Sequence, residues 1–140
     1  MLKNLPLYDA SKIEDSRLLE ALMRDYSYLA SMYILEPCDI SFRKTGDFGL
    51  GRDHLPASIA VPLCQVAEKL NIKPFLEYTQ NIVYNWIKKD PTKDMTPENL
   101  HSPRCFEGSK NEQGFKAIHL YVAQQSGKLV KYSYDLFRAC

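Results

Sequence analysis

The chain has 140 residues, of which 45% are hydrophobic and 25% charged, and its net charge is +1 at neutral pH. That is the composition of one ordinary globular domain, long enough to bury roughly two-thirds of its unfolded surface. The near-neutral balance predicts no nucleic-acid partner and no membrane, and no run approaches the roughly 18 apolar residues that a membrane helix needs.

The opening stretch, MLKNLPLYDASK, lacks the basic-then-apolar pattern of a secretory signal and reads as an extended arm. Leu18, Leu22, Tyr26, Leu29 and Tyr33 then recur at helical spacing. They predict an amphipathic helix over about residues 15–35, stopped by Pro37. The irregular segment CDISFRKTGDFGLGRDHLP follows. Its Gly46, Gly49 and Gly51 fit neither phosphate-loop spacing and follow no strand, so a connector is expected. A shorter helix is predicted over about residues 60–70, with Pro62 in its first turn. Pro74 separates it from a third predicted helix, FLEYTQNIVYNWIKK. Two stripes, Phe75/Tyr78/Ile82/Trp86 and Leu76/Val83/Ile87, would bury that helix broadly until Asp90-Pro91 ends it.

Thr96-Pro97-Glu98-Asn99 reads as a capped single turn, and HSPRCFEGSKNEQ as a loop with a short extended piece near residues 104–106. Ser109 and Glu112 fit a capping box that opens a last helix over about residues 110–137. On that helix Phe115, His119, Val122, Ser126 and Leu129 share one face, which sets an imidazole in a stripe expected to be buried. Tyr121, Leu129, Tyr132, Leu136 and Phe137 leave it apolar on more than one side. Such a helix asks for a partner, either another chain or further residues of its own. The fold class expected from these patterns is all-α.

Few residues suggest chemistry on their own. Cys38, Cys64, Cys105 and Cys140 are far apart and form no CxxC, so reduced thiols of a cytoplasmic protein are expected rather than a metal site. His54, His101 and His119 are widely separated and have no zinc spacing. Glu14 and Asp15 suit a helix dipole, and the KKDPTKD run at residues 88–94 suits a solvated surface. His119 has two readings. It is a satisfied structural residue, or it faces a metal, a cofactor or a substrate, and imidazole suits haem and O2 chemistry as ligand or distal group.

The stretch RDHLPASIAVPLCQVAEKLNIKPFLEYTQNIVYNWIKKDP resembles the indoleamine 2,3-dioxygenase family. Leu55-Pro56, Ile59-Ala60-Val61-Pro62, Cys64, Lys69-Leu70, Pro74, Tyr78, Asn85-Trp86 and Lys89-Asp90-Pro91 fall in register with its pattern. FEGSKNEQGFKAIHLYVAQQSGKLV is similar to a later part of the same family, and RDYSYLASMYILEP fits its N-terminal helix more loosely. The resemblance implies an all-α haem protein with a small N-terminal helical domain, here residues 1–107. Residues 108–140 would be the first helix of a larger domain. It implies haem b iron as cofactor, and insertion of both atoms of O2 across the indole C2–C3 bond of L-tryptophan or a related indoleamine. The product would be N-formylkynurenine, in the kynurenine route.

By the same resemblance Tyr78, Asn81, Ile82 and Phe115 are substrate-binding residues. His119 is the catalytic distal residue, accepting a hydrogen bond from the indole N–H, and Phe115 and His119 also touch the haem. Asn81 stands where vertebrate members usually have Cys. Lys116 stands where a second aromatic is frequent, so the pocket's polarity is expected to differ. No metal ligand is assigned in this chain, because the family's iron-ligating His lies further downstream. The chain is therefore expected to be an N-terminal portion, inactive alone. The alternatives are a haem- or O2-binding protein without turnover and a helical interaction module.

Overall fold

The computed structural model describes residues 6–139, so the first five residues of the expected arm, and Cys140, lie outside it. Helix accounts for 62% of the described residues against 3% strand, which makes the fold all-α. Two compact units follow one another, one up to Tyr84 and the other from Asn85.

The first unit is built on helix α1, Ser16–Thr45, and helix α2, Ala57–Leu70. Asp15 caps α1 by accepting from the Leu18 amide at 2.8 Å, and Gly46 closes it at φ 78°, a conformation that favours glycine. The core between the helices is Leu19, Met23 and Ala30 against Ile59, Leu63, Val66 and Ala67. The predicted stripe of Leu22, Tyr26, Leu29 and Tyr33 flanks this core, and Leu18 is exposed. Packing thus centres one position further along the helix, where the small side chains of Ser27 and Ala30 line the buried face. Ala10 is fully buried in the same core, and its amide donates to Gln65 Oε1 at 2.9 Å, which pins the arm to α2.

Pro37 does not stop α1, which runs on for two further turns. A proline lacks the N–H that would bond the carbonyl four residues earlier, here that of Tyr33. Arg52 donates its guanidinium to that carbonyl, lies over the Tyr33 ring at 4.3 Å and pairs with Glu36. The Arg52 amide also donates to the Ile34 carbonyl at 2.9 Å. The loop can approach this closely because a Cβ on Gly51 would meet the Ile34 oxygen at 2.9 Å. Helix α2 begins before the predicted residue 60, since the Pro56 carbonyl accepts from both Ile59 and Ala60, and Pro62 sits beyond its first turn.

The third predicted helix is largely absent. Only a wide π-type turn, Thr79–Val83, forms, closed by Tyr84 N–H to Thr79 O at 2.8 Å. The chain then extends, because Ile87–Lys88 (β1) pairs antiparallel with Leu100–His101 (β2). The extended piece therefore falls before the predicted residues 104–106, and the single turn is the 3-10 turn Pro97–Asn99. Helix α3, Lys110–Ala139, follows as expected.

The second unit holds together by polar clamps more than by a core. Asn85 donates to the Arg104 carbonyl at 2.8 Å and accepts from its amide at 3.0 Å. Asn99 makes the same two-point pair with Asp90, and Gln113 with Ser102. Each carboxamide satisfies one backbone donor and one acceptor that sheet or helix would otherwise supply. Leu100, Ala117 and Leu120 are the buried apolar side chains among the described residues of this unit.

Candidate functional site

The candidate side chains fall into two groups, one in each unit. In the first, α1 braces the π turn from two sides. Arg24 Nη1 donates to the Tyr84 carbonyl at 3.2 Å, and the Tyr28 hydroxyl donates to Asn81 Oδ1. Tyr28 is 3% exposed, so this hydrogen bond is shielded from water. Gln80 is fully buried, and its Oε1 accepts from the Glu77 amide at 2.9 Å. Its Nε2 has no partner among the described residues. The turn leaves Tyr78 outward at 52% exposure and Asn81 half-buried, while Ile82 is core at 2%. Burial also raises the Tyr84 hydroxyl above its ordinary pKa.

In the second unit, α3 turns Phe115 and His119 together. Their rings lie 4.0 Å apart at 43°, and His119 Nδ1 sits 2.9 Å from the Phe115 carbonyl. A carbonyl only accepts, so Nδ1 carries the hydrogen in this contact. The stripe expected to be buried is outward in this structure: Phe115, Val122 and Leu129 are all more than half exposed, and His119 is half-buried. The face that packs is instead Lys116, Ala117 and Leu120.

Lys116 explains why this face tolerates a cation. It is 3% exposed, and its ammonium donates to Glu112 Oε1 at 2.7 Å and to the Arg104 carbonyl at 2.9 Å. Glu112 also accepts from the amides of Phe106, Glu107 and Gly108. The predicted capping box is therefore half realised. Ser109 accepts from the Glu112 amide at 3.2 Å, but the Glu112 carboxylate reaches back past Ser109 to the preceding loop. Burial alone would raise the Glu112 pKa, but Lys116 and the three amides outweigh it and hold it at about 2. Burial raises the Cys105 thiol, and the nearby Lys116 ammonium only partly offsets this. The Glu112–Lys116 spacing is legible in sequence as an ion pair on one helix face, but its burial is not.

The KKDPTKD run is more than a solvated face. Lys88 Nζ donates to the Lys93 carbonyl at 2.8 Å and Lys89 Nζ to that of Glu98 at 2.7 Å, so both fold the loop onto itself. Cys38, Cys64 and Cys105 are free thiols. Among the described residues no three His, Cys, Asp or Glu side chains gather as a metal site, and no helix is long and apolar enough to cross a membrane.

The structure is that of an all-α protein whose last helix carries His119 beside the exposed ring of Phe115. The family model described as Indoleamine 2,3-dioxygenase matches residues 1–140, and the chain belongs to that family. It is similar to "Indoleamine 2,3-dioxygenase 1" of Mus musculus and of Rattus norvegicus, at 30% identity over 129 residues in each case. The match covers 92% of this chain and 30% of each relative, so the chain spans about a third of their length. It is also similar to "Indoleamine 2,3-dioxygenase qulI" of Penicillium citrinum, at 33% identity over 81 residues, covering 56% of this chain and 18% of that protein.

Proposed function

We propose that this chain forms the substrate-facing, distal part of a haem-dependent tryptophan dioxygenase. The reaction would join both atoms of O2 to C2 and C3 of the indole of L-tryptophan or a related indoleamine, giving N-formylkynurenine. The observation that carries this reading is the His119 Nδ1 to Phe115 carbonyl contact at 2.9 Å. It engages Nδ1 with the helix backbone, which supports a reading in which Nε2 of the neutral ring is the nitrogen that would accept from a ligand.

The residues on α3 fit a haem. Phe115 is 57% exposed and offers an aromatic edge, and His119 offers a polar atom beside it. When bound, haem supplies the iron at which O2 is activated. His119 Nε2 accepts the indole N–H and thereby orients the ring, which is a positioning and electrostatic role. Phe115 contributes apolar contact that excludes water. In the first unit, Tyr78 and Asn81 are proposed to face the substrate, with buried Ile82 supporting the turn from behind. A cytoplasmic setting suits the free thiols.

Substituting His119→Ala in a haem-loaded dioxygenase that contains this chain as its distal part tests the assignment. L-tryptophan affinity is expected to fall about tenfold, the cost of one desolvated hydrogen bond, while 1-methyltryptophan, which lacks the N–H, is unaffected. Equal loss for both ligands would contradict the acceptor role. A second reading, a helical interaction module, draws on Leu129, Leu136 and Phe137 of α3, which are 68%, 68% and 81% exposed. That reading leads if the protein binds neither haem nor tryptophan but self-associates.

A further inference from the structure

We propose that the outward stripe of α3 is a self-pairing surface, against which a second copy of this chain packs antiparallel. Phe115, Val122, Leu129 and Leu136 stand seven residues apart, and Ile118 and Tyr132 follow Phe115 and Leu129 by three. A stripe that repeats every seven residues is the pattern of a coiled-coil seam, with the first four at its a positions and the other two at its d positions. The seam is open along the helix, with Val122 at 59%, Tyr132 at 67% and Leu129 and Leu136 at 68% exposure. It is also separate from the packing of α3 on its own unit. Lys116, Ala117 and Leu120 face inward, and the helical turn puts them on the side opposite the seam.

The charges choose the partner and its direction. In this register Lys128 and Asp135 hold the g positions beside the seam, and Ser126 and Ser133 the e positions. Parallel copies set g against e, which leaves Lys128 facing Ser133. Antiparallel copies set g against g, so that Lys128 of each copy meets Asp135 of the other, twice over in a symmetric dimer. Asp135 pairs with Lys131 of its own helix through Oδ2 at 2.7 Å and stays more than half exposed, and a carboxylate accepts from more than one ammonium.

The apolar side chains agree on the same alignment. It seats Leu129 on Tyr132 of the second copy, Leu136 on Gln125 and Val122 on Ala139. Gln125 is the polar residue of this stretch, and a polar residue in a seam fixes register at a cost in stability. Val130 and Phe137 share the heptad position of inward Lys116 and take no part. The pairing uses residues 122–139, and Phe115 and His119 lie outside it, so the inference does not rest on the dioxygenase reading.

Sedimentation equilibrium of the full chain tests this, under reduction because Cys38, Cys64 and Cys105 are free thiols. All the side chains substituted are exposed, so each unit keeps its fold. Wild type is expected to show a monomer–dimer equilibrium. Leu129→Ala should weaken it about a hundredfold, a tenfold loss for each copy's leucine, while Phe137→Ala leaves it within about twofold. Lys128→Glu and Asp135→Lys should each weaken it about fivefold, and the two together should restore it, because the exchanged charges meet again only across copies. Wild type that stays monomeric up to about 1 mM overturns the inference. So does association that the double exchange fails to restore, or that Phe137→Ala weakens more than Leu129→Ala does, since either would put the contact on another surface.

Discussion

Arg52 donates to the carbonyl of Tyr33, the acceptor that Pro37 would otherwise leave without a helical partner. One residue from a loop thus repairs the backbone defect made by another, and α1 continues to Thr45. The first prediction follows from that pairing. Arg52→Met should destabilise the first unit by about 1–2 kcal/mol and speed amide exchange over residues 38–45. Adding Pro37→Ala should recover most of the loss, because alanine restores the missing N–H. No recovery would mean that Arg52 acts mainly through Glu36 and the Tyr33 ring.

The carboxamide clamps make a second prediction. Asn85→Asp replaces the N–H2 that donates to the Arg104 carbonyl with a second acceptor, at a side chain that is fully buried. The loss should be about 2–3 kcal/mol, read by denaturant titration, since a buried acceptor then faces another acceptor. A change under about 0.5 kcal/mol, typical of a surface site, would show that the clamp does not hold the unit.

Glu112 predicts an acid limb to stability. Its pKa is lowered from 4.5 to about 2 in the folded chain, so the folded carboxylate holds its charge more firmly than the unfolded one. The contribution is complete above the unfolded value of 4.5 and is lost as pH falls through about 2. A displacement of this size corresponds to about 3 kcal/mol. Thermal unfolding between pH 6 and pH 2 should therefore decline steeply in wild type. Glu112→Gln should flatten that decline while lowering stability at neutral pH, where Lys116 loses its counter-charge. A variant with the wild-type slope would assign the acid limb to other carboxylates.

Much of this architecture was legible before the coordinates, and the exceptions share a cause. The 3.6-residue periodicity located α1, α2 and α3, because each buries a face along its own length. The third helix failed because Ile87–Lys88 finds its hydrogen bonds in Leu100–His101, and no local pattern announces such a partner. The clamps of Asn85, Asn99 and Gln113 were equally silent, since what they grip is backbone and any sequence has backbone. Pro37 was expected to stop α1 and does not, because its repair by Arg52 depends on a loop folding back.

The candidate site was legible in a similar way. His119 and Phe115 stand out as residues of one helical face, yet their outward direction depends on Lys116 taking the inward one. The Tyr28 contact with Asn81 joins positions far apart in sequence, and nothing in either local pattern marks it.

The central claim is that this chain serves a tryptophan-cleaving haem dioxygenase. The most direct test supplies a haem-loaded dioxygenase, in which this chain provides the distal part and a family iron-ligating portion the remainder, with a reductant, L-tryptophan and isotopically labelled O2, and identifies the product by mass spectrometry. The account predicts N-formylkynurenine carrying both labelled oxygen atoms, and a loss of that product in His119→Ala. Tryptophan left intact by a protein that binds both haem and O2 would contradict it.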